Sequence, residues 1–452
     1  MRKFHQFDLV VLNMKFSFFT LGCKVNQYET QAMEQLLLQR GHSLGRFDEV
    51  CDGYIINTCT VTATGDKKSR NMVRRARKLN PDAVIGVCGC YAQVSPDEVA
   101  ALDVDVVSGT GDRQGFLDRM EQAAREKIRL RAVDNARQRH DFEVLPAGGL
   151  AARTRAMLKV EDGCDNFCAY CIIPFARGPV RSLPLETAVE QARTLAAEGY
   201  LELVVTGIEI SSWGGDLPGT PGLADLLAAL CEAVPGMRVR LGSLEPRTIT
   251  EDFCRRLCGF ENLCPQFHLS LQSGCDSVLK RMNRKYGTAR YRESVELLRR
   301  YFPGCAVTTD LIVAFPGETE EEFQASLDFI RDCGLAAVHV FPYSRRAGTR
   351  ADRMPGQHSN ETKERRSALA CAAAEELSAA YRQAMVGTEQ TVLFEQDEDG
   401  CSTGHAPNSV LVYLPEPGLH NVLKRVRITG LRPGGVTAEG LPAGDTAGQA
   451  PD

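Results

Sequence analysis

The first third of the chain alternates short apolar runs with amphipathic stretches. "KFSFFT" reads as a strand, "GCKVN" as a turn and "QYETQAMEQLLLQRG" as a helix ended by Gly41. "GYIINT", a strand running into Cys59, precedes the helical "DKKSRNMVRRARKLN", which Pro81 closes. "DAVIGV" runs into Cys88 and Cys90, and "VDVVSG" precedes a last helix. Such alternation predicts a parallel sheet whose ligand crevice lies outside the carboxyl ends of the strands. An Arg-bearing linker with Gly148 and Gly149 spans about 126–155. From 156 to 385, "MLKV", "ELVVTG", "RVRLGS", "FHLSLQ", "AVTTDLIVAF" and "AVHVFPYS" alternate with helical stretches such as "ETEEEFQASLDFIRDCG". These βα units predict a partial (β/α)6 barrel with its active groups at the C-terminal strand ends. Over 388–442, "TVLFEQ", "SVLVYL", "KRVRIT" and "GGVTAEG" predict a small antiparallel β-barrel, and 443–452 reads as a disordered tail. The fold class is an α/β multidomain protein whose N-terminal parallel α/β sandwich covers 14–125. Met14 lies just before the first strand, which leaves open whether residues 1–13 are translated.

Composition narrows the function. With 452 residues, 43% hydrophobic and 25% charged, the chain has an ordinary globular make-up. Its net charge of -5 excludes a uniformly basic nucleic-acid binder and confines RNA contact to local patches. Asp8, Asn13 and Lys15 break the apolar stretch near the N-terminus, and no run approaches the roughly 18 apolar residues of a membrane span. A cytoplasmic location is expected. There, seventeen cysteines point to metal ligands, catalytic thiols or buried hydrophobes rather than a disulfide framework.

Two groups of cysteines stand out. Cys23, Cys59 and Cys90 each fall at a predicted strand end. Any one of them could be a buried small hydrophobe, but three equivalent positions favour ligands converging on one point. Cys88 could share the face of Cys90 or pack in the core. In "EDGCDNFCAYCIIPFARG", Cys164, Cys168 and Cys171 follow at spacings of four and three. Three thiolates suit a 4Fe-4S cube and leave one iron open to a substrate. Zinc is the competing reading, but no partner pair supplies its fourth ligand at the usual distance.

A CxxxCxxC motif after the first strand of a βα barrel resembles the radical S-adenosylmethionine superfamily. "TLGCKVNQYET", "NTCTVT", "GCYAQ", "VTGIEISSWG", "SLEP", "HLSLQSG", "LIVAFPGETEEEF" and "VFPYSRRAGTRA" extend the resemblance, over nearly the whole chain, to the methylthiotransferase family. "GCKVNQYET", "NTCTVT" followed by "KKSR", and "HVFPYSRRAGTRA" are closest to one branch. That branch converts N6-threonylcarbamoyladenosine, beside the tRNA anticodon, into its 2-methylthio derivative. The resemblance implies a methylthiotransferase domain, a radical S-adenosylmethionine core and a C-terminal TRAM domain. It implies two 4Fe-4S clusters, a radical one on Cys164, Cys168 and Cys171 and an auxiliary one on Cys23, Cys59 and Cys90, with S-adenosylmethionine as cosubstrate. Its implied partners are the tRNA anticodon stem-loop and a reductant such as flavodoxin or ferredoxin, and the sulfur donor is left open. Carbon 2 of adenine carries an unactivated C–H bond, which proton-transfer catalysis does little to break, so the chemistry requires a radical. The alternatives are action on isopentenyladenosine tRNA, action on a ribosomal protein, and a noncatalytic RNA-binding protein that keeps one cluster for stability.

Polar residues at barrel strand ends are candidates to hold the cofactor: Gly207 to Glu209, Ser243, Glu245, Gln272, Ser273 and Asp310, each with a capping role as its alternative. Tyr170 could lie against the adenine or pack the cluster loop. For RNA, Lys67, Lys68, Arg70, Arg74, Arg75, Arg77 and Lys78 form either a phosphate track or a solvated helix face. Arg177 and Arg181 could meet the target nucleotide or a phosphate. Lys424, Arg425 and Arg427 could serve from the barrel, with the acidic "EQDEDG" loop facing away. Leu183, where the family pattern has a basic residue, and Ser409, where it has an aromatic, are departures expected to weaken RNA contact. Cys51, Cys231, Cys254, Cys258, Cys264, Cys275, Cys305, Cys333, Cys371 and Cys401 read as structural, although Cys254 and Cys258 share a helix face.

Overall fold

The structure, a computed structural model, describes residues 13–60, 63–148 and 154–442. The expected tail and the question over residues 1–12 lie outside these described residues. Chain contacts divide into two units, Met1–Leu150 with Ile172–Pro179, and Ala151–Cys171 with Val180–Asp452.

The first unit runs β1 (Lys15–Thr20), α1 (Lys24–Gln39), β2 (Ser43–Gly45), β3 (Gly53–Thr58), α2 (Ala63–Leu79), β4 (Val84–Gly89), α3 (Cys90–Val94), α4 (Pro96–Ala100), β5 (Val106–Ser108), α5 (Arg113–Glu126) and β6 (Leu130–Ala132). The short α6 (Ile173–Arg177) joins it from further along the chain. The strands form one parallel sheet in the order β2-β1-β3-β4-β5-β6. Neighbouring residues of β3 face opposite sides, so apolar runs are buried on both faces. Tyr54 and Ile56 pack with Val73 and Ala76 of α2. Ile55 packs with Met33 and Leu37 of α1 and Phe116 and Met120 of α5. Each such large side chain contributes about 1.5–3 kcal/mol on burial. β2 and β6 were absent from the sequence expectation, and β6 adds an edge strand within the expected linker.

In the second unit, β7 (Arg155–Lys159) leads to the small ribbon of β8 (Glu161–Asp162) and β9 (Arg181–Ser182), then α7 (Leu185–Ala197), β10 (Glu202–Thr206) and α8 (Leu223–Ala233). There follow β11 (Arg238–Leu241), β12 (Ser243–Leu244), α9 (Glu251–Leu257), β13 (Gln266–Leu269), α10 (Asp276–Arg281) and α11 (Thr288–Tyr301). β14 (Ala306–Val313), α12 (Glu320–Cys333), β15 (Ala337–Pro342) and α13 (Asn360–Ala384) complete the βα series. Strands β7, β10 and β11 pair in parallel, as do β12 to β15, and Gly242 alone separates β11 from β12. The expected six parallel strand positions are present.

β16 (Glu389–Glu398), β17 (Cys401–His405), β18 (Leu411–Leu414), β19 (Val422–Arg432) and β20 (Gly435–Gly440) close into a barrel, antiparallel except for the β18–β20 pair. Val392, Phe394, Val412, Leu414, Val426 and Val436 fill it. An ion network joins this barrel to the parallel strands. Arg155 Nε donates to Glu395 Oε1 at 2.8 Å, His405 Nδ1 meets Glu395 Oε2 at 2.6 Å, and Arg240 Nη1 donates to the Pro407 carbonyl at 2.9 Å. Ser409, which stands where the family pattern has an aromatic, belongs to this junction, its Oγ accepting from Arg240 Nη1 at 2.5 Å. Leu183 is likewise buried, its backbone N donating to Val160 O at 2.8 Å, where a cation would be desolvated. No helix among the described residues is long and apolar enough to cross a membrane.

Candidate functional site

In the first unit, three strand ends are tied together by the residues flanking their cysteines. Cys23 caps the start of α1, Cys59 follows β3, and Cys90 opens α3. Asn26 Nδ2 donates to Leu21 O at 2.7 Å and Thr58 O at 3.0 Å, tying the loop before Cys23 to the strand before Cys59. Thr58 Oγ1 donates to Cys88 O at 2.6 Å and brings in the third strand. Gly22 lies so close to Cys59 that a Cβ there would stand 3.1 Å from its Sγ. Burial pushes the Cys90 thiol up to about 12; Arg177 opposes that, while Cys59 and Cys23 add to it as electrostatic neighbours. Cys88 is a core residue, packed with Phe16, Phe116 and Met120. The turn at Gly89, with φ +95°, breaks the strand pleat between Cys88 and Cys90, so the two thiols part.

In the second unit, Cys164, Cys168 and Cys171 lie on the loop after β8, partly exposed and mutually close enough to interact electrostatically. The loop is pinned at its middle, where Ala169 N donates to Met282 O at 2.8 Å and Ala351 N to Ala169 O at 2.7 Å. Asn283 Nδ2 donates to Phe167 O at 2.9 Å, and Arg284 Nη1 donates to Cys168 Sγ at 3.2 Å. Cys164 is desolvated, which pushes its thiol up, with Glu209, Cys171 and Cys168 as charge neighbours.

The strand-end residues divide. Burial, then Glu245, raises Glu209 to about 7, opposed by Arg284, and its backbone N donates to Glu161 Oε2 at 2.6 Å. Glu245 pairs with Arg247 at 2.7 Å. Gln272 holds a left-handed backbone with φ +69° and bridges to β14 through Asp310 O at 2.9 Å. Ser243 is exposed. Asp310 lies on β14, its Oδ2 3.4 Å from His268 Nε2. Ser273 is fully buried, its hydroxyl 3.1 Å from that of Ser326 of α12. Tyr170 meets Phe315 edge-on at 6.5 Å and packs the loop.

Two expected RNA contacts are overturned. Arg177 and Arg181 are 0% and 3% exposed. Arg177 bonds Glu29 and Asn26, and Arg181 Nη2 pairs with Asp162 at 3.3 Å. A carboxylate from elsewhere in the chain compensates each guanidinium and permits its burial. On α2, Lys67, Lys68, Arg74, Arg75 and Lys78 are exposed. Arg70 is engaged by Tyr91 at 3.1 Å, and Arg77 by Pro81 O, Ala83 O and Asp105. On the barrel, Lys424 pairs with Glu416 at 2.5 Å, while Arg425 and Arg427 share Glu389.

Sequence reasoning missed Glu161 and Arg284. Glu161 directly precedes the cysteine loop; burial raises its carboxyl well above the ordinary range, and its Oε1 is buried without a hydrogen-bond partner. Arg284 Nη2 is likewise buried and unpartnered. Unsatisfied buried polar atoms beside three thiols fit a bound cluster and its polar cosubstrate. Among the described residues no three Cys, His, Asp or Glu side chains gather around a single-ion position.

The Radical SAM superfamily model matches residues 158–330, and that of Uncharacterized protein family UPF0004 matches residues 15–109. The threonylcarbamoyladenosine tRNA methylthiotransferase MtaB of Bacillus subtilis (strain 168) is 42% identical over 403 residues, 88% of this chain and 89% of the relative. The tRNA-2-methylthio-N(6)-dimethylallyladenosine synthase of Symbiobacterium thermophilum is 32% identical over 439 residues, 93% of each chain. Among solved structures, the radical S-adenosylmethionine methyltransferase TsrM of Kitasatospora setae, with cobalamin and a 4Fe-4S cluster bound, has the same fold. It aligns at TM-score 0.53 and 15% identity over 75% of this chain and 77% of that one. Fold and cysteine loop define a radical S-adenosylmethionine enzyme that uses one 4Fe-4S cluster and S-adenosylmethionine. The chain belongs to the threonylcarbamoyladenosine tRNA methylthiotransferase family.

Proposed function

We infer that the chain inserts a methylthio group at carbon 2 of N6-threonylcarbamoyladenosine beside the tRNA anticodon, using a second, auxiliary 4Fe-4S cluster. The supporting observation is the second cysteine triad: Cys23, Cys59 and Cys90, brought to adjoining strand ends by Asn26 and Thr58. Identity of 42% to a threonylcarbamoyladenosine enzyme, against 32% to a dimethylallyladenosine enzyme, favours this branch. When bound on Cys164, Cys168 and Cys171, a reduced cluster with S-adenosylmethionine supplies the radical that an unactivated C–H bond demands. Arg284 holds Cys168 by its thiol, and its buried Nη2 has no protein partner. Glu209, raised by burial and by Glu245, can accept from or donate to the ribose or amino group of the cosubstrate. Glu161, whose carboxyl burial raises well above the ordinary range, accepts a hydrogen bond from the Glu209 backbone N. The exposed cations of α2 supply a local phosphate track on an otherwise acidic molecule. An electron donor of the flavodoxin or ferredoxin class and a sulfur donor complete the reaction.

Anaerobic reconstitution followed by nucleoside mass spectrometry of tRNA carrying N6-threonylcarbamoyladenosine tests this. Gain of a methylthio group is expected from the intact chain and from neither Cys23→Ala/Cys59→Ala/Cys90→Ala nor Cys164→Ala/Cys168→Ala/Cys171→Ala. Modification of isopentenyladenosine tRNA or of ribosomal peptides instead would reassign the branch. No cleavage of S-adenosylmethionine on reduction would leave a noncatalytic RNA binder.

A further inference from the structure

Below its three strand-end cysteines, the first unit buries two guanidiniums with one carboxylate. The side chains of Arg113 and Arg177 are 0% exposed and that of Glu29 is 1% exposed. Glu29 Oε2 accepts from Arg113 Nη2 at 2.6 Å and Arg177 Nη2 at 3.2 Å, and its Oε1 accepts from Arg177 Nη1. Arg177 Nη2 also donates to Asn26 Oδ1 at 2.7 Å, and the guanidinium hydrogen-bonds the Cys90 thiol. Arg113 Nη1 is occupied by Gly109 O at 2.9 Å. The half-exposed Glu143 reaches the backbone N of Arg113 at 2.5 Å. Two guanidiniums share Glu29, with Glu143 as a second negative neighbour of Arg113, and Arg177 is the cation that reaches Cys90. A guanidinium hydrogen-bonded to the Cys90 thiol favours negative charge at that position.

We propose that Arg177 and Glu29 set the charge environment of the auxiliary cluster on Cys23, Cys59 and Cys90, with Arg177 as the positioning residue that favours its reduced form. The inference rests on the two-cluster reading above. A cubane on three thiolates is anionic, and one-electron reduction adds a further negative charge, which the nearby guanidinium stabilises. Asn26 and Glu29 lie three and six residues after Cys23 on α1, so the "GCKVNQYE" stretch supplies a ligand and the two groups that hold its counter-charge.

The test is a redox titration of the full-length, anaerobically reconstituted chain, followed by electron paramagnetic resonance. Using the Cys164→Ala/Cys168→Ala/Cys171→Ala background makes the remaining iron report the auxiliary site alone. Arg177→Gln should lower the equilibrium constant for reduction about tenfold, a shift of about 59 mV to more negative potential for one electron. Glu29→Gln should move it the opposite way, and Arg177→Lys should restore most of the wild-type value. Opposite signs separate charge from structural damage, which would shift both variants alike or strip iron from both. If either variant retains its iron with an unshifted potential, or both shift in one direction, the proposal is overturned. If this background binds no iron and the intact chain binds about four, the two-cluster reading itself falls.

Discussion

At the scale of single residues, a left-handed glycine sits at the first triad. Gly89 has φ +95°, and a Cβ there would stand 2.5 Å from both Asn57 Oδ1 and Thr58 O. Both contacts are on the strand that delivers Cys59, so Gly89→Ala should displace Cys59 and Cys90 together. Iron per chain should fall from about eight to about four while S-adenosylmethionine is still cleaved, as iron assay and detection of 5′-deoxyadenosine would show. The six cysteines proposed as cluster ligands stood out in the sequence, because thiol spacing and strand-end placement are local signals. The burial of Arg177 and Arg181 did not. Arginines just after a cluster loop read as surface groups, and what buries them, Glu29 for one and Asp162 for the other, is fixed by tertiary pairing. Arg284 was invisible for the same reason, since its partner Cys168 lies 116 positions away.

At the scale of elements, the barrel of β16 to β20 is fastened to β7, β10 and β11 by charge as well as by packing. Burial would raise Glu395, but hydrogen bonds from His405 and Arg155 outweigh it and hold the carboxyl at about 2. A carboxyl depressed on folding stabilises above its unfolded value, near 4.3, and that contribution disappears as pH falls through the folded value. Glu395→Gln should therefore cost about 1–3 kcal/mol at pH 7 and almost nothing near pH 2. Thermal unfolding of both chains across that window checks it; an equal loss at both ends would mean packing rather than charge. The long strands and helices of the parallel regions were readable because their apolar runs are buried on both faces. β17, "CSTGH", was missed because it is polar and its pairing with β16 and β18 makes it a strand. The three-residue β2 and β6 are too short to show a period and exist because a neighbouring strand offers an edge.

At the scale of the whole molecule, 58 acidic against 53 basic residues give a net charge of -5, so affinity for tRNA has to be concentrated. The structure thins the candidates unequally. On the barrel, Lys424, Arg425 and Arg427 are each paired with a glutamate, whereas Lys67, Lys68 and Arg74 on α2 are exposed. Paired cations must exchange one carboxylate for a phosphate on binding, while exposed ones release only counterions. Lys67→Ala/Lys68→Ala/Arg74→Ala should flatten the plot of log affinity against log salt by about 2 to 3. Lys424→Ala/Arg425→Ala/Arg427→Ala should flatten it by less than 1. Filter binding of tRNA to the two variants between about 50 and 200 mM salt makes the comparison. Equal slopes would show that the glutamate pairs open on contact and that the barrel shares the load. A steeper loss from the barrel variant would move the phosphate track off α2 altogether.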